Sequence, residues 1–323
     1  MKKMFCLTLA LFTALLTGCH AAGESTSQDG FQVAIVQQMD HVSLDQINAA
    51  ITAQLQVLAQ EAGKEIQVKQ FNGQNDPSAL NQIGVQVVQE GFDLVIPIGT
   101  TAAQSMANAA LDQPLPIVYA AISDPAAAGL EGLPKVTGTS DALNVETILD
   151  MVLAVQPEIQ TLGLLYSNSE PNSAGPIAQI KTLLEAKGIQ YLEKTGNTTD
   201  EILNAANALV GRVDGVFTPT DNVVMGAAGA VAEILTQAGI PHYTGADSFV
   251  TAGAFATCGV NYTQLGEKTA QMAVDILLGG DIPPCHVMEG GIITVNSQTA
   301  QALQLDYSPF DALGTLNEVV TMP

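Results

Sequence analysis

Small hydroxyl, amide and carboxylate side chains recur in this chain wherever a short apolar run gives way to a helical pattern. Thr100 and Thr101 follow the run at 94–98, and Ser123 and Asp124 follow the one at 117–120. Ser169, Asn172 and Ser173 come after 162–166. Thr220, Asp221 and Asn222 come after 213–218, and Asp247 after 241–244. Gln38 holds the same position after 31–36. Free N–H groups at helix starts bind anions such as a carboxylate, and an Asp can hold an ammonium. The same residue types also serve as plain helix caps, so each is ambiguous alone. The set, repeated in both halves, predicts a cleft for a small zwitterion. Asp221 and Asp247 are expected to take its ammonium. Ser123, with Thr100 and Thr101, should take its carboxylate. His41, a lone loop histidine, reads as structural or solvated. Met225, beside Gly226, Ala227, Ala228 and Gly229, reads as close helix packing.

Signals for bond-making chemistry are missing. The chain has no GxSxG, HExxH or CxxC, no phosphate loop and no GxGxxG. The expectation is a binding protein, not an enzyme, with no cofactor and no metal. Ten basic residues against 32 acidic ones give a net charge of −22. That field repels a phosphate backbone and excludes nucleic acid as a partner. The absence of Trp and an aromatic content of 5% also argue against a base-stacking platform.

The elements that position these residues begin after a leader. Met1-Lys2-Lys3 precedes an apolar run to Leu16, too short to span a bilayer but suited to export. Leu16-Thr17-Gly18-Cys19 resembles the bacterial lipobox, which predicts a leader over 1–18 and a lipidated Cys19. Residues 19–30, polar and small, read as a flexible tether. Strands and helices then alternate. Ser43 and Gln46 look like a capping box, and Asp76-Pro77 starts a helix with a cap and a first-turn proline. Asn197-Thr198-Thr199 reads as another cap, and one helix is expected over 222–237. The pattern implies an α/β fold of two doubly wound, parallel-sheet lobes joined by a multi-segment hinge. Lobe 1 is expected to comprise 31–140 plus about 262–288, and lobe 2 to comprise 141–261 plus about 289–323. Export permits a disulfide between Cys258 and Cys285, both placed near hinge crossings.

Several of these segments together resemble the bacterial ABC-importer substrate-binding lipoproteins that include tryptophan- and tyrosine-binding members. They are Ala34-Ile35-Val36-Gln37 with His41, Ile122-Ser123-Asp124-Pro125, and Val136-Thr137-Gly138-Thr139-Ser140-Asp141. Ser169-Glu170-Pro171-Asn172-Ser173, Thr218-Pro219-Thr220-Asp221-Asn222 and Gly245-Ala246-Asp247-Ser248 complete the set. The resemblance implies a type I periplasmic-binding-protein fold. A small solute, an amino acid of a kind that in some members is aromatic, would be enclosed between the lobes and passed to ABC permease subunits. The loop at Gln37, Gln38, Met39 and Asp40 should line the cleft. The expected protein is an extracytoplasmic monomer held to the cell membrane by acyl chains. The alternative is a membrane-anchored sensor that presents its ligand to a signalling receptor.

Overall fold

The computed structural model describes residues 30–322; the leader, Cys19 and most of the tether lie outside the described residues. The strands are β1 (Gly30–Gln37), β2 (Glu65–Asn72), β3 (Leu94–Ile98), β4 (Ile117–Tyr119), β5 (Val136–Ser140), β6 (Thr161–Tyr166), β7 (Gln190–Thr195), β8 (Gly215–Thr218), β9 (His242–Thr244), β10 (Ala256–Gly259), β11 (His286–Val287), β12 (Ile292–Asn296) and β13 (Thr315–Val319). The helices are α1 (Val42–Glu61), α2 (Pro77–Glu90), α3 (Thr100–Ala109), α4 (Val145–Val155), α5 (Pro171–Lys187), α6 (Thr199–Asn207), α7 (Asn222–Met225), α8 (Ala228–Gln237), α9 (Asp247–Thr251), α10 (Tyr262–Leu277) and α11 (Ser297–Leu303).

The strands form two sheets, ordered β11-β5-β4-β3-β1-β2 and β13-β12-β10-β9-β8-β6-β7. Every pairing is parallel except β10 with β12. A parallel sheet must be covered on both faces, which explains the unbroken burial of Val33 to Val36 in β1. Val33 and Ile35 pack on one side with α1 and α10, and Ala34 and Val36 pack on the other with α2 and α3. In the second sheet, Leu162 and Leu164 pack against α4 and α5, while Val216 meets α6 and α8. One apolar cluster runs through both lobes, from Ile47 of α1 to Val224 and Phe249. The lobes are therefore in contact.

Helix α1 buries Leu44, Ile47, Ile51 and Leu55 on one face. It lies close to α10 because Gly266 leaves room. A Cβ there would stand 2.7 Å from Ala50 Cβ and 2.8 Å from the Ile47 carbonyl oxygen. Gly266→Ala should force the pair apart and cost about 1–3 kcal/mol, read as a lower urea midpoint. An unchanged midpoint would mean that the two helices separate without loss.

Local cues held where caps are self-contained. Asp76 accepts the Ser78 N–H at 2.7 Å, and Thr198 accepts the Glu201 N–H at 3.3 Å. The capping box at Ser43 does not form. The helix starts two residues earlier, with His41 as an uncapped N-cap, which frees the Ser43 hydroxyl to meet Ser248 at 2.5 Å. The single helix expected over 222–237 is two, broken at Gly226 and Ala227. The expected disulfide is absent. Cys258 is a free, buried thiol in β10 of one sheet, and Cys285 is a free, half-buried thiol before β11 at the edge of the other. Helix α10 carries the chain from one sheet to the other between them.

Candidate ligand-binding cleft

The strand ends of both sheets converge on a cavity between the lobes. From the first lobe come His41, Ser43, Leu44 and Ile47 at the start of α1, and Gly99 and Thr100 at the start of α3. Ala121 and Ser123 follow β4, Asp141 follows β5, and Tyr262 opens α10. The second lobe adds Asn172 from α5, Thr220, Asp221, Asn222 and Met225 around α7, and Ala246 and Phe249 beside α9. Ligands in open α/β sheets bind beyond the carboxyl ends of the strands, and each of these positions lies there or at the helix start that follows.

Six of the twelve candidate ligand-binding residues line this cavity: Thr100, Ser123, Asn172, Thr220, Asp221 and Asn222. The other six do different work. Gln38 is buried and ties three segments together. Its amide N donates to Glu170 at 3.0 Å and to Asn75 at 3.1 Å, and its Oε1 accepts the Thr101 N–H at 3.1 Å. Thr101 thus contributes its backbone to that tie. Asp124 is exposed and accepts the Ala127 N–H at 2.9 Å. Ser169, also exposed, bonds Ser167 at 2.7 Å. Ser173 donates to Asp221 at 2.7 Å. Asp247 is half-buried, and its Oδ1 is enclosed without a hydrogen-bond partner.

Asp221 is fully engaged inside its own lobe. Oδ1 accepts the Val224 N–H at 2.9 Å, and Oδ2 accepts the Ser167 N–H and the Ser173 hydroxyl, both at 2.7 Å. Burial pushes its carboxyl upward, against these bonds. Asp141 is the less committed carboxylate. It accepts Ser123 Oγ at 3.0 Å and Tyr262 Oη at 3.3 Å, and burial raises its carboxyl as well. Four lone-pair sites on a carboxylate leave it room for a ligand donor.

Three hydrogen bonds cross the cleft beside the Gln38–Glu170 contact. His41 Nε2 meets Asn222 Oδ1 at 2.9 Å, Ser123 Oγ meets Thr220 Oγ1 at 3.1 Å, and Ser43 meets Ser248. Burial lowers the imidazole of His41 from its ordinary value. Asn172 donates to the Thr220 carbonyl at 2.5 Å, which leaves its Oδ1 buried and unpartnered on the cleft wall. Sequence reasoning missed Asp141, Tyr262, Glu170 and Phe249, and it read His41 and Met225 as structural. Asp141 and Tyr262 did carry the positional signal, since each stands just after a strand or at a helix start.

Residues 32–310 match the family model described as ABC transporter substrate binding protein. The chain belongs to that family. Its members bind solutes and are not enzymes, and they work outside the cytoplasm. No helix among the described residues is long and apolar enough to cross a membrane. The chain is 31% identical to a tyrosine-binding protein of Clostridioides difficile, over 94% of this chain and 93% of the relative. A Streptococcus pneumonia ABC domain in complex with L-Trp superposes with a TM-score of 0.83 at 28% identity, covering 90% of this chain and all of that one. A ligand-free, open substrate binding protein with adhesive properties from Clostridium difficile gives 0.67 at 31% identity, covering 90% of this chain and 100% of that one. The better fit to the liganded relative agrees with the bonds that cross the cleft here.

Proposed function

We propose that this substrate-binding protein captures an L-amino acid with a large apolar or aromatic side chain, and delivers it to the permease subunits of an ABC importer while tethered through a lipid on Cys19. The observation that carries the reading is the division of the cleft. Asp141, Ser123, Thr100, Asn172 and Thr220 make one polar region, and Leu44, Ile47, Met225 and Phe249 make an apolar one. An α-amino acid has the same two ends. Asp141 and the unpartnered Oδ1 of Asn172 accept from the ammonium, with Asp247 near by. Thr100 donates to the carboxylate at the start of α3, where no side chain caps the helix from within, while the single Ser123 proton holds Asp141 in place. The tyrosine- and tryptophan-binding relatives support the ligand class, and the lipobox-like Leu16-Thr17-Gly18-Cys19 after the expected leader over 1–18 supports the anchor.

Calorimetry with L-tyrosine, L-tryptophan and L-aspartate tests the ligand. Either aromatic amino acid should bind at least about tenfold tighter than L-aspartate, the equivalent of about 1.4 kcal/mol. Equal affinities, or none, would refute the reading. For the anchor, Cys19→Ala should shift the protein from the membrane fraction to the soluble one, or leave the leader attached. A processed variant that stays on the membrane would show that Cys19 carries no lipid.

A further inference from the structure

Glu170 stands at the N-cap of α5 and is only 3% exposed, buried where the lobes meet. Its side-chain partners are two amides, and the Asn222 backbone N–H donates to it as well. Oε1 accepts from Gln38 of the first lobe at 3.0 Å, and Oε2 meets the Asn222 amide at 2.6 Å. The charged groups around it offer little compensation. Asp221, at the neighbouring helix start, repels it. Lys181 lines the same outer groove, but its ammonium lies 2.6 Å from Glu193. Asp124 faces α5 from the first lobe, 3.9 Å from where a Cβ on Gly175 would be. Beyond Asn222, His41 is flanked by Asp40 and Asp45. The α5 N-terminus and a backbone N–H favour the charged carboxylate, but burial beside Asp221 outweighs them.

We infer that Glu170 is a proton-coupled latch: when the lobes close on a ligand, it is buried against Gln38 and Asn222 and takes up one proton from solvent. This rests on the amino-acid reading of the cleft and adds its regulation. The site of the proton follows from the bonds. Gln38 Oε1 is held by the Thr101 N–H, so the Gln38 NH2 must face Glu170 Oε1, and that oxygen stays an acceptor. The proton therefore sits on Oε2 and is donated to the carbonyl of Asn222, whose amide turns through a half rotation to present it. The Asn222 NH2 then faces His41 Nε2, which accepts. The proton of His41 consequently lies on Nδ1, an atom that is buried, unpartnered and on the cleft wall. Closure thereby gives the ligand carboxylate an N–H donor.

The sign of the pH effect follows. Burial, with repulsion from Asp221, pushes the enclosed Glu170 up to about 8; opening returns the carboxylate to water and lowers that value, although Asp221 of the same lobe stays beside it. A carboxyl raised on closure favours the closed form most below the open-form value, and that advantage is lost as pH rises towards about 8. Ligand affinity should fall through this window, by up to about tenfold per pH unit. Asp141, Asp221 and Asp247 are shifted in the same direction, so the test is a difference between proteins. Gln at position 170 accepts from Gln38 and donates to Asn222, copying the protonated latch. In calorimetry with L-tyrosine at pH 6.5, using buffers of different ionisation enthalpy, the native protein should take up about one proton more than Glu170→Gln. The variant should also keep its affinity at pH 8.5, where the native protein loses at least about tenfold. Equal proton uptake, or equal loss of affinity, overturns the latch. If neither L-tyrosine nor L-tryptophan binds either protein, the amino-acid reading fails on its own account. Small-angle scattering of the ligand-free proteins then decides the latch. Compaction with falling pH that is greater in the native protein upholds it, and matching profiles overturn it.

Discussion

Asp221→Ala is expected to lower the stability of ligand-free protein by about 3 kcal/mol, because it strands three donors at once. The Val224 N–H, the Ser167 N–H and the Ser173 hydroxyl all end on this carboxylate, which is itself fully buried. For a lobe of this size the loss corresponds to a fall of about 6–12 °C in melting temperature. Asp221→Asn should also destabilise, though less. One amide oxygen can serve only part of the set, and the amide NH2 then meets a donor. This reverses what a simple cap would give, since Asn is as good a cap as Asp. Thermal melts of both variants without ligand provide the check. A native melting temperature in Asp221→Asn, together with weakened amino-acid binding, would return Asp221 to the role of ammonium acceptor.

The largest loss of binding is expected at Asp141. A buried, hydrogen-bonded charge pair that loses its anion costs about 3 kcal/mol, roughly a hundredfold in affinity. Asp141→Asn should show that loss for L-tyrosine and leave the fold intact. The hydroxyls of Ser123 and Tyr262 can each turn to accept from an amide NH2. Removing the charge also relieves the burial penalty that raises this carboxyl, so the ligand-free protein should melt no lower than the native one. A ligand analogue without the amine separates the cause. 3-(4-Hydroxyphenyl)propionate should bind native and variant protein alike. Native affinity of Asp141→Asn for L-tyrosine would sink the assignment.

The two roles could not be told apart from the chain. Asp141 and Asp221 each follow a strand, and both belong to segments with the same hydroxyl-rich composition. Their difference lies in who else arrives. Ser167 and Ser173 fold back on Asp221 from the start of α5, whereas Asp141 meets only two hydroxyls and the open cleft. Glu170 was hidden in the same way, one residue before a first-turn proline and indistinguishable from a surface acid until the first lobe covers it.

The sequence by itself determined the alternation of strands and helices, the parallel two-lobed class and the ends of the strands at which binding residues gather. These are written locally, in apolar periodicity and in caps such as Asp76 and Thr198 that bond within three residues. Only the tertiary structure decided which polar residues face the cleft, which are consumed as internal ties, and that Cys258 and Cys285 stand in different sheets. The reason is the range of the contacts. Gln38 reaches Glu170 across 132 positions, His41 reaches Asn222 across 181 and Ser43 reaches Ser248 across 205. Periodicity along a chain carries no record of such partners, which are set by how two separately formed sheets come to rest against each other.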